Sequence, residues 1–195
     1  MLQEEQVAAV CALEDAQRWG EAFQLYQSNG CSSGAMAIRT VFFCWYFIWQ
    51  WDEIDFPDEH YSIEEKGFTD RRGGLSLSAL TQMISPMAHQ IASGEIGASP
   101  EEQMILVHMQ RIYPYFFDAS LFSDQDAQRL FRLLNRNRES SRVVSALCSY
   151  RRNWRWQCTE TAARGLREYF CHGGLMDDYF LWLFRLKEYD DETDD

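Results

Sequence analysis

The sequence lacks an apolar run long enough to cross a membrane. Its longest run, Val41 to Trp49, has nine residues, whereas a spanning helix needs about 20 apolar residues. Arg39 precedes this run and acidic residues follow it from Asp52. We therefore expect a helix buried inside the protein and no membrane partner.

Secretion signals and paired cysteines are also missing. The first ten residues, MLQEEQVAAV, contain no basic region followed by an apolar run. The six cysteines are dispersed without a C-x-x-C pair, and no N-x-S/T glycosylation acceptor occurs. This pattern is typical of free thiols in a reducing compartment and predicts a cytoplasmic protein.

Signatures of catalysis and of metal or cofactor binding are absent from the sequence. It contains no G-x-x-x-x-G-K-S/T, G-x-G-x-x-G, G-x-S-x-G or H-E-x-x-H motif. None of the four histidines follows a glutamate by three residues, as the di-iron helical bundles require. We expect no cofactor, no metal and no enzymatic activity. A helical enzyme of unrecognised type stays as an alternative, because catalytic groups converge in space rather than in sequence.

Two isolated features resemble catalytic groups, and both have a simpler structural interpretation. His108 lies among apolar neighbours, so we expect a core histidine that is hydrogen-bonded nearby. Cys171 precedes a pair of glycines, which is typical of a core residue at the end of a helix. Because His172 is adjacent to Cys171, we expect the two side chains to diverge. Asp177 is expected to stabilise the first turn of its helix.

Helical periodicity is what the sequence does contain. Apolar residues recur at three- and four-residue spacing from Glu4 to Tyr26. Ser99-Pro100-Glu101-Glu102 and Ser123-Asp124-Gln125-Asp126 are typical helix starts. We predict an all-α, single compact helical bundle-like domain of about seven or eight helices. The domain should cover residues 1–189, with a possible hinge near 66–75 and a disordered acidic tail at 190–195.

The longest apolar run is the candidate centre of the bundle. As a strand it would be apolar on both faces, and few other strands are available to cover it. We therefore predict a helix from about Ala35 to Trp51, with the apolar segment Tyr179 to Phe184 packed against it. The face of this helix nearest to solvent is expected to carry Arg39, Phe43, Tyr46, Gln50 and Glu53.

An acidic and aromatic segment follows this central helix. Seven acidic residues lie between Asp52 and Glu65, and no arginine or lysine occurs between Arg39 and Lys66. Interleaved rings would supply contact area while the acids steer a basic protein partner. The predicted partner-binding residues are Trp51, Asp52, Glu53, Asp55, Phe56, Asp58, Glu59, Tyr61, Glu64 and Glu65. The alternative is a solvated loop with ordinary surface acids.

A basic segment lies later in the chain, from Arg129 to Arg155. It contains eight arginines and one glutamate, a net charge of +7, so the remainder of the −12 chain carries −19. Guanidinium groups mixed with indole rings could contact phosphates and stack on bases, which makes nucleic-acid binding an alternative function. The residues that would carry it are Arg151, Arg152, Trp154, Arg155 and Trp156. We favour pairing within the molecule, because the surrounding negative charge opposes a polyanion.

These observations indicate a function in binding. A net charge of −12 disfavours negatively charged partners on average and favours a basic protein. We interpret the chain as a non-catalytic acidic binding protein that inhibits or sequesters a basic partner. An immunity protein that neutralises a toxin is the most specific form of this hypothesis.

The six cysteines should be reduced in the native protein. Thiol titration under denaturing, non-reducing conditions should count about six free groups, because no secretion signal or paired spacing was found. Two or three disulfides in protein isolated from its own compartment would contradict both the thiol state and the cytoplasmic location.

Overall fold

A computed structural model describes residues 3–54, 77–152 and 158–186, and within these ranges it contains nine α-helices and no strand. The all-α prediction is confirmed, and the helices exceed the expected seven or eight. They are α1 (Gln3–Asp15), α2 (Trp19–Asn29), α3 (Gly34–Ile54), α4 (Leu77–Ser93), α5 (Pro100–Ile112), α6 (Asp124–Arg136), α7 (Arg142–Arg152), α8 (Glu160–Tyr169) and α9 (Gly174–Leu183). Short 3-10 turns lie at Gly30–Ser32, Pro114–Phe116 and Arg138–Ser140.

Some predictions fall on other parts of the chain. The possible hinge near 66–75 and the acidic tail at 190–195 lie outside the described residues. All six cysteines lie within the described residues and are free thiols. Within the same ranges, no helix combines the length and the apolar character needed to cross a membrane.

Side-chain hydroxyls cap the starts of five described helices, α3, α5, α6, α7 and α8. Ser99 accepts a hydrogen bond from the backbone N–H of Glu102, whose carboxylate accepts from the Ser99 N–H in return. Ser123 and Asp126 form the same reciprocal pair at the start of α6. Thr159 caps α8. Such pairs satisfy backbone donors that have no partner inside the helix, and both reciprocal pairs coincide with the helix starts predicted from sequence.

The helical pattern from Glu4 to Tyr26 is divided between two helices. α1 ends at Asp15 and α2 begins at Trp19. Gln17 between them has a φ of +55°, a left-handed conformation that ends the first helix. The break lets α2 fold back on α1, so both can pack apolar side chains such as Val10 and Phe23 into one core.

α3 lies at the centre of the core, as predicted, and covers Gly34–Ile54. It packs most extensively against α4 and then against α5. The expected neighbour, the segment from Tyr179 on α9, also contacts α3, although less extensively. α9 still contacts it through rings: the Phe42 centroid lies 5.3 Å from that of Tyr179 and 5.9 Å from that of Phe180. α3 is therefore covered from several sides, which explains its apolar character.

The described part of the α3 stripe that was expected to face solvent is largely buried, while the side chains of Gln50 and Glu53 lie outside the described residues. Arg39 is only 4% exposed and Phe43 is fully buried, while Tyr46 is half-buried. The expectation is wrong at Arg39 and Phe43, because α1, α2 and α9 cover this side of α3. A charged side chain buried in the core requires hydrogen-bonding and oppositely charged partners around it.

Truncation of the central aromatic residues should strongly destabilise the protein. Trp45 and Phe47 are buried, so replacing either by alanine should lower the free energy of unfolding by about 3–5 kcal/mol. Urea denaturation monitored by circular dichroism measures this change.

The variant Trp45→Phe provides the matched control. It keeps a ring, and it removes an indole N–H that has no acceptor among the described residues. It should therefore destabilise the protein less than Trp45→Ala does. Unchanged unfolding midpoints in both alanine variants would refute the buried position of this helix.

Candidate functional site

The residues predicted to bind a partner lie at the end of α3 and beyond it. Trp51, Asp52 and Glu53 occupy the last turns of this helix. Their side chains, and the whole of Asp55 to Glu65, lie outside the described residues. The residues predicted for the alternative, nucleic-acid binding, also lie at a helix end and beyond it. Arg151 and Arg152 end α7, and their side chains and residues 153–157 lie outside the described part. The structure therefore gives the positions of the helix ends that precede the two segments.

The C-terminal end of α3, which precedes the acidic segment in sequence, is surrounded by aromatic side chains. The Trp45 ring lies 5.7 Å from that of Trp49, and the Trp49 ring lies 6.0 Å from that of Tyr113. Tyr113 contacts Tyr115 at 5.7 Å, and Tyr115 is 63% exposed. Aromatic packing therefore continues from the core to the surface at this end.

A second branch of rings reaches the surface through α9. Tyr179 lies 5.7 Å from Trp45 and 6.4 Å from Trp182, measured between ring centroids. Trp182 is 45% exposed. α9 runs in the same direction as α3, because Asp177 pairs with Arg39 and Tyr179 contacts Phe42. The exposed Trp182 and Tyr115 therefore lie toward the same end of the bundle.

A buried ion pair connects α3 to α9 in the interior. The Nη2 group of Arg39 donates to Oδ1 of Asp177 at 2.6 Å, and Nη1 donates to the carbonyl of Gly173 at 3.3 Å. The second carboxylate oxygen of Asp177 accepts from the backbone N–H of His172 at 2.8 Å. Asp177 thus holds the turn between α8 and α9, which is more than the helix-start role expected for it.

Two carboxylates from α1 cap the start of α9. Glu14 accepts from the backbone N–H of Leu175 at 3.0 Å and from the Tyr26 hydroxyl at 2.8 Å. Asp15 accepts from the backbone N–H of Gly174 at 2.9 Å. A helix normally takes this cap from the residue before it, but here the cap comes from the opposite end of the described chain.

The close approach of these carboxylates requires glycine at the start of α9. Gly173 and Gly174 have φ values of +82° and +77°, which side-chain-bearing residues rarely adopt. A Cβ atom on Gly174 would lie 2.3 Å from a carboxylate oxygen of Glu14. Any other residue here would displace the cap.

Burial changes the ionisation of this cluster. It raises the pKa of Glu14 to about 7, although hydrogen bonds from Tyr26 and Leu175 oppose the shift. Burial also raises the pKa of Asp177, against the opposing charge of Arg39. The cluster therefore contains a carboxyl group that titrates near neutral pH.

Sequence reasoning missed Glu14, Asp15 and Tyr26. One observation could have identified the two acids: they close α1, where the helix dipole disfavours negative charge. Acids at that position suggest partners elsewhere in the fold. Nothing in the sequence marks Tyr26, whose hydroxyl needs an acceptor only because the ring is buried.

A cleft of about 360 Å³ opens beside the ion pair. Its walls are apolar in part, and acidic residues such as Glu4 and Glu168 line it. The volume would admit a small ligand, but Arg39, which also lines the cleft, is already neutralised by Asp177. The complete lining is Glu4, Val7, Ala35, Ile38, Arg39, Glu102, Glu168, Tyr169, His172 and Met176.

The residues that resemble catalytic groups have different surroundings. His108 is buried with Nε2 3.2 Å from the Tyr179 hydroxyl, which confirms a core histidine. Cys171 is exposed, and its Sγ lies 3.8 Å from Nδ1 of His172. The expectation of a core cysteine with a diverging neighbour is wrong, because both residues lie in the turn after α8. In the described ranges, no three His, Cys, Asp or Glu residues could hold a metal ion.

The comparisons with known proteins add no relative. No family model, no curated protein and no solved structure matches the chain.

Replacing Glu14 with glutamine should flatten the pH dependence of stability. The pKa of Glu14 in the folded state, about 7, exceeds its ordinary value of 4.5, so the folded state binds a proton that the unfolded state releases. Protonation of Glu14 therefore adds up to about 3 kcal/mol to the free energy of unfolding. This contribution is fully present below pH 4.5 and is lost as the pH rises through 7. Urea denaturation between pH 4.5 and 8 measures the difference between the two proteins.

Glu4→Gln is the control, since Glu4 lies exposed on the same helix. It should leave the pH dependence of wild-type protein unchanged. If Glu14→Gln and wild-type protein lose stability equally over this range, Glu14 is not the titrating group.

Proposed function

We propose that the protein is a non-catalytic binding protein that sequesters or inhibits a basic partner protein. Its most specific form is a cytoplasmic immunity protein that neutralises a toxin. One observation carries the proposal: the exposed rings of Tyr115 and Trp182 lie toward the end of α3 from which the acidic segment continues.

The two kinds of side chain would have different tasks in such an interface. Partly exposed aromatic residues supply contact area at low entropic cost and often dominate affinity. The acids from Asp52 to Glu65 would attract a basic surface over a distance and raise the rate of association. The net charge of −12 adds to this attraction.

Packing of the rings favours a preformed surface. Tyr115 contacts Tyr113 and Phe116 at ring separations of 5.7 and 4.8 Å, and Phe116 is buried. A side chain supported in this way loses less entropy when a partner covers it. The aromatic end would therefore contribute mainly to the lifetime of the complex.

Reversing the charge of the acidic segment should slow association. The full-length protein is first used to capture a partner from its native host, and the kinetics are then measured with that purified partner. The variant with Asp52, Glu53, Asp55 and Glu59 replaced by lysine should associate at least about tenfold more slowly at low salt. Tyr115→Ala should instead raise the dissociation rate by about tenfold.

The matched control reverses four exposed acids on other helices and turns: Glu4, Glu95, Glu139 and Glu160. It changes the net charge equally, so only a local role of the acidic segment separates the two variants. Equal rates for both variants would contradict the proposal. Loss of binding on alanine substitution at Arg151, Arg152 and Arg155, with co-purifying nucleic acid, would favour the alternative function instead.

A further inference from the structure

A groove lined by arginines lies between α6 and the end of α4, and the proposed function does not use it. Its volume is about 830 Å³. α6 supplies Arg129, Arg132 and Arg136, while α4 supplies His89 on the facing wall. Residues 120–122, in the turn before α6, also line the groove.

The three arginines form one continuous stripe. They are spaced three and four residues apart on α6, so they lie on one face and extend over about 10 Å. All three are exposed. Leu133 lies among them and is 55% exposed, with Leu130 half-buried beside it. The groove therefore combines positive charge with accessible apolar surface.

Positive charge predominates along this stripe, since three arginines and one carboxylate, Asp126, line the groove. Among the described residues, arginine–carboxylate ion pairs form at Arg18, Arg39 and Arg142, and none forms at the three groove arginines. The Oδ2 of Asp126 accepts from the N–H and the hydroxyl of Ser123 at 3.0 and 2.6 Å, and its charge also attracts Arg129. One carboxylate offsets at most one of the three guanidinium charges. Like charges at this spacing repel each other, and an anionic partner would relieve that repulsion.

Hydrogen bonds hold the walls of the groove in place. The Nδ1–H of His89 donates to the carbonyl of Leu121 at 2.9 Å. The backbone N–H of Asp118 donates to the Ser85 hydroxyl at 2.8 Å. Both bonds fasten the turn before α6 to α4, so the groove exists before any partner arrives.

Position separates this groove from the aromatic end of the bundle. The Sγ of Cys31 lies 3.7 Å from the side-chain oxygen of Gln90, so the end of α4 lies beside the start of α3. The exposed aromatic rings lie toward the other end of α3, and a helix of 21 residues is about 30 Å long. The chain thus carries two surfaces of different character at different ends.

We propose that this groove binds a short acidic peptide segment of a partner protein, with an apolar side chain of that segment against Leu133. Charge complementarity favours carboxylates along the arginine stripe, because guanidinium groups bind carboxylates in pairs of hydrogen bonds. A nucleic acid fits less well: the ring of Phe122 is only 1% exposed, and the ring of His89 is engaged with the Leu121 carbonyl and lies 3.8 Å from the Glu95 carboxylate. The net charge of −12 also opposes a long polyanion more than a short peptide.

The test uses the whole chain and a fluorescently labelled peptide. In this peptide two glutamates alternate with two leucines along the sequence. About 12 residues suffice for this probe, since the arginine stripe extends over only about 10 Å. Fluorescence anisotropy should show binding that weakens with salt. Arg129→Glu with Arg132→Glu should weaken binding by about tenfold or more. The matched control, Arg164→Glu with Arg167→Glu on α8, should bind the peptide as wild-type protein does.

Two further comparisons address the apolar part and the class of ligand. Leu133→Ser should weaken binding of the glutamate–leucine peptide by about threefold or more, but it should not affect a peptide with serine in place of leucine. Equal binding by the Arg129/Arg132 variant and its control would overturn the proposal. Tighter binding of single-stranded DNA of the same net charge, lost in the Arg129/Arg132 variant, would also overturn it and identify a polyanion site. Either result leaves the proposed function of the aromatic end unaffected.

Discussion

The buried guanidinium group of Arg39 is the feature on which the arrangement of the helices depends. An unpaired charge at this depth would be strongly unfavourable, so Asp177 must lie beside it. That requirement fixes α9 against α3. Glu14 and Asp15 then fix α1 against α9 by accepting from its first backbone N–H groups. Three helices far apart in sequence are therefore positioned together, with directional bonds that apolar packing alone would not provide.

Two kinds of contact stabilise different parts of α3: the polar cluster at its start and the aromatic core further along. Near Arg39 the helix is fixed by directional hydrogen bonds. From Phe42 onward it is held by ring contacts, which tolerate small shifts and transmit packing to the surface. The aromatic end can therefore expose large side chains such as Tyr115 to solvent, because Tyr115 also packs against Tyr113 and Phe116.

Local features of this fold were predictable from sequence, and long-range ones were not. The reciprocal caps at Ser99 and Ser123 depend on residues three positions apart, and the sequence identifies both. The apolar run of α3 also indicates a buried helix without further information. The burial of Arg39 could not be predicted, since its partner lies 138 residues away. The break at Gln17 was missed because an apolar pattern continues across it. Of the predicted partner-binding residues, only Trp51, Asp52 and Glu53 belong to a described helix, the end of α3, so they locate the predicted surface only to that end.

The cap on α9 has a consequence for how the chain folds during synthesis. Its donors at Gly174 and Leu175 are separated from their acceptors on α1 by 159 and 161 residues. When α1 leaves the ribosome, Glu14 has no backbone donor to bind and Arg39 has no counter-ion. Bonds between residues so distant in sequence form late, because the intervening chain must first be ordered. The polar cluster around Arg39 and Glu14 therefore stays incomplete until α9 has been synthesised.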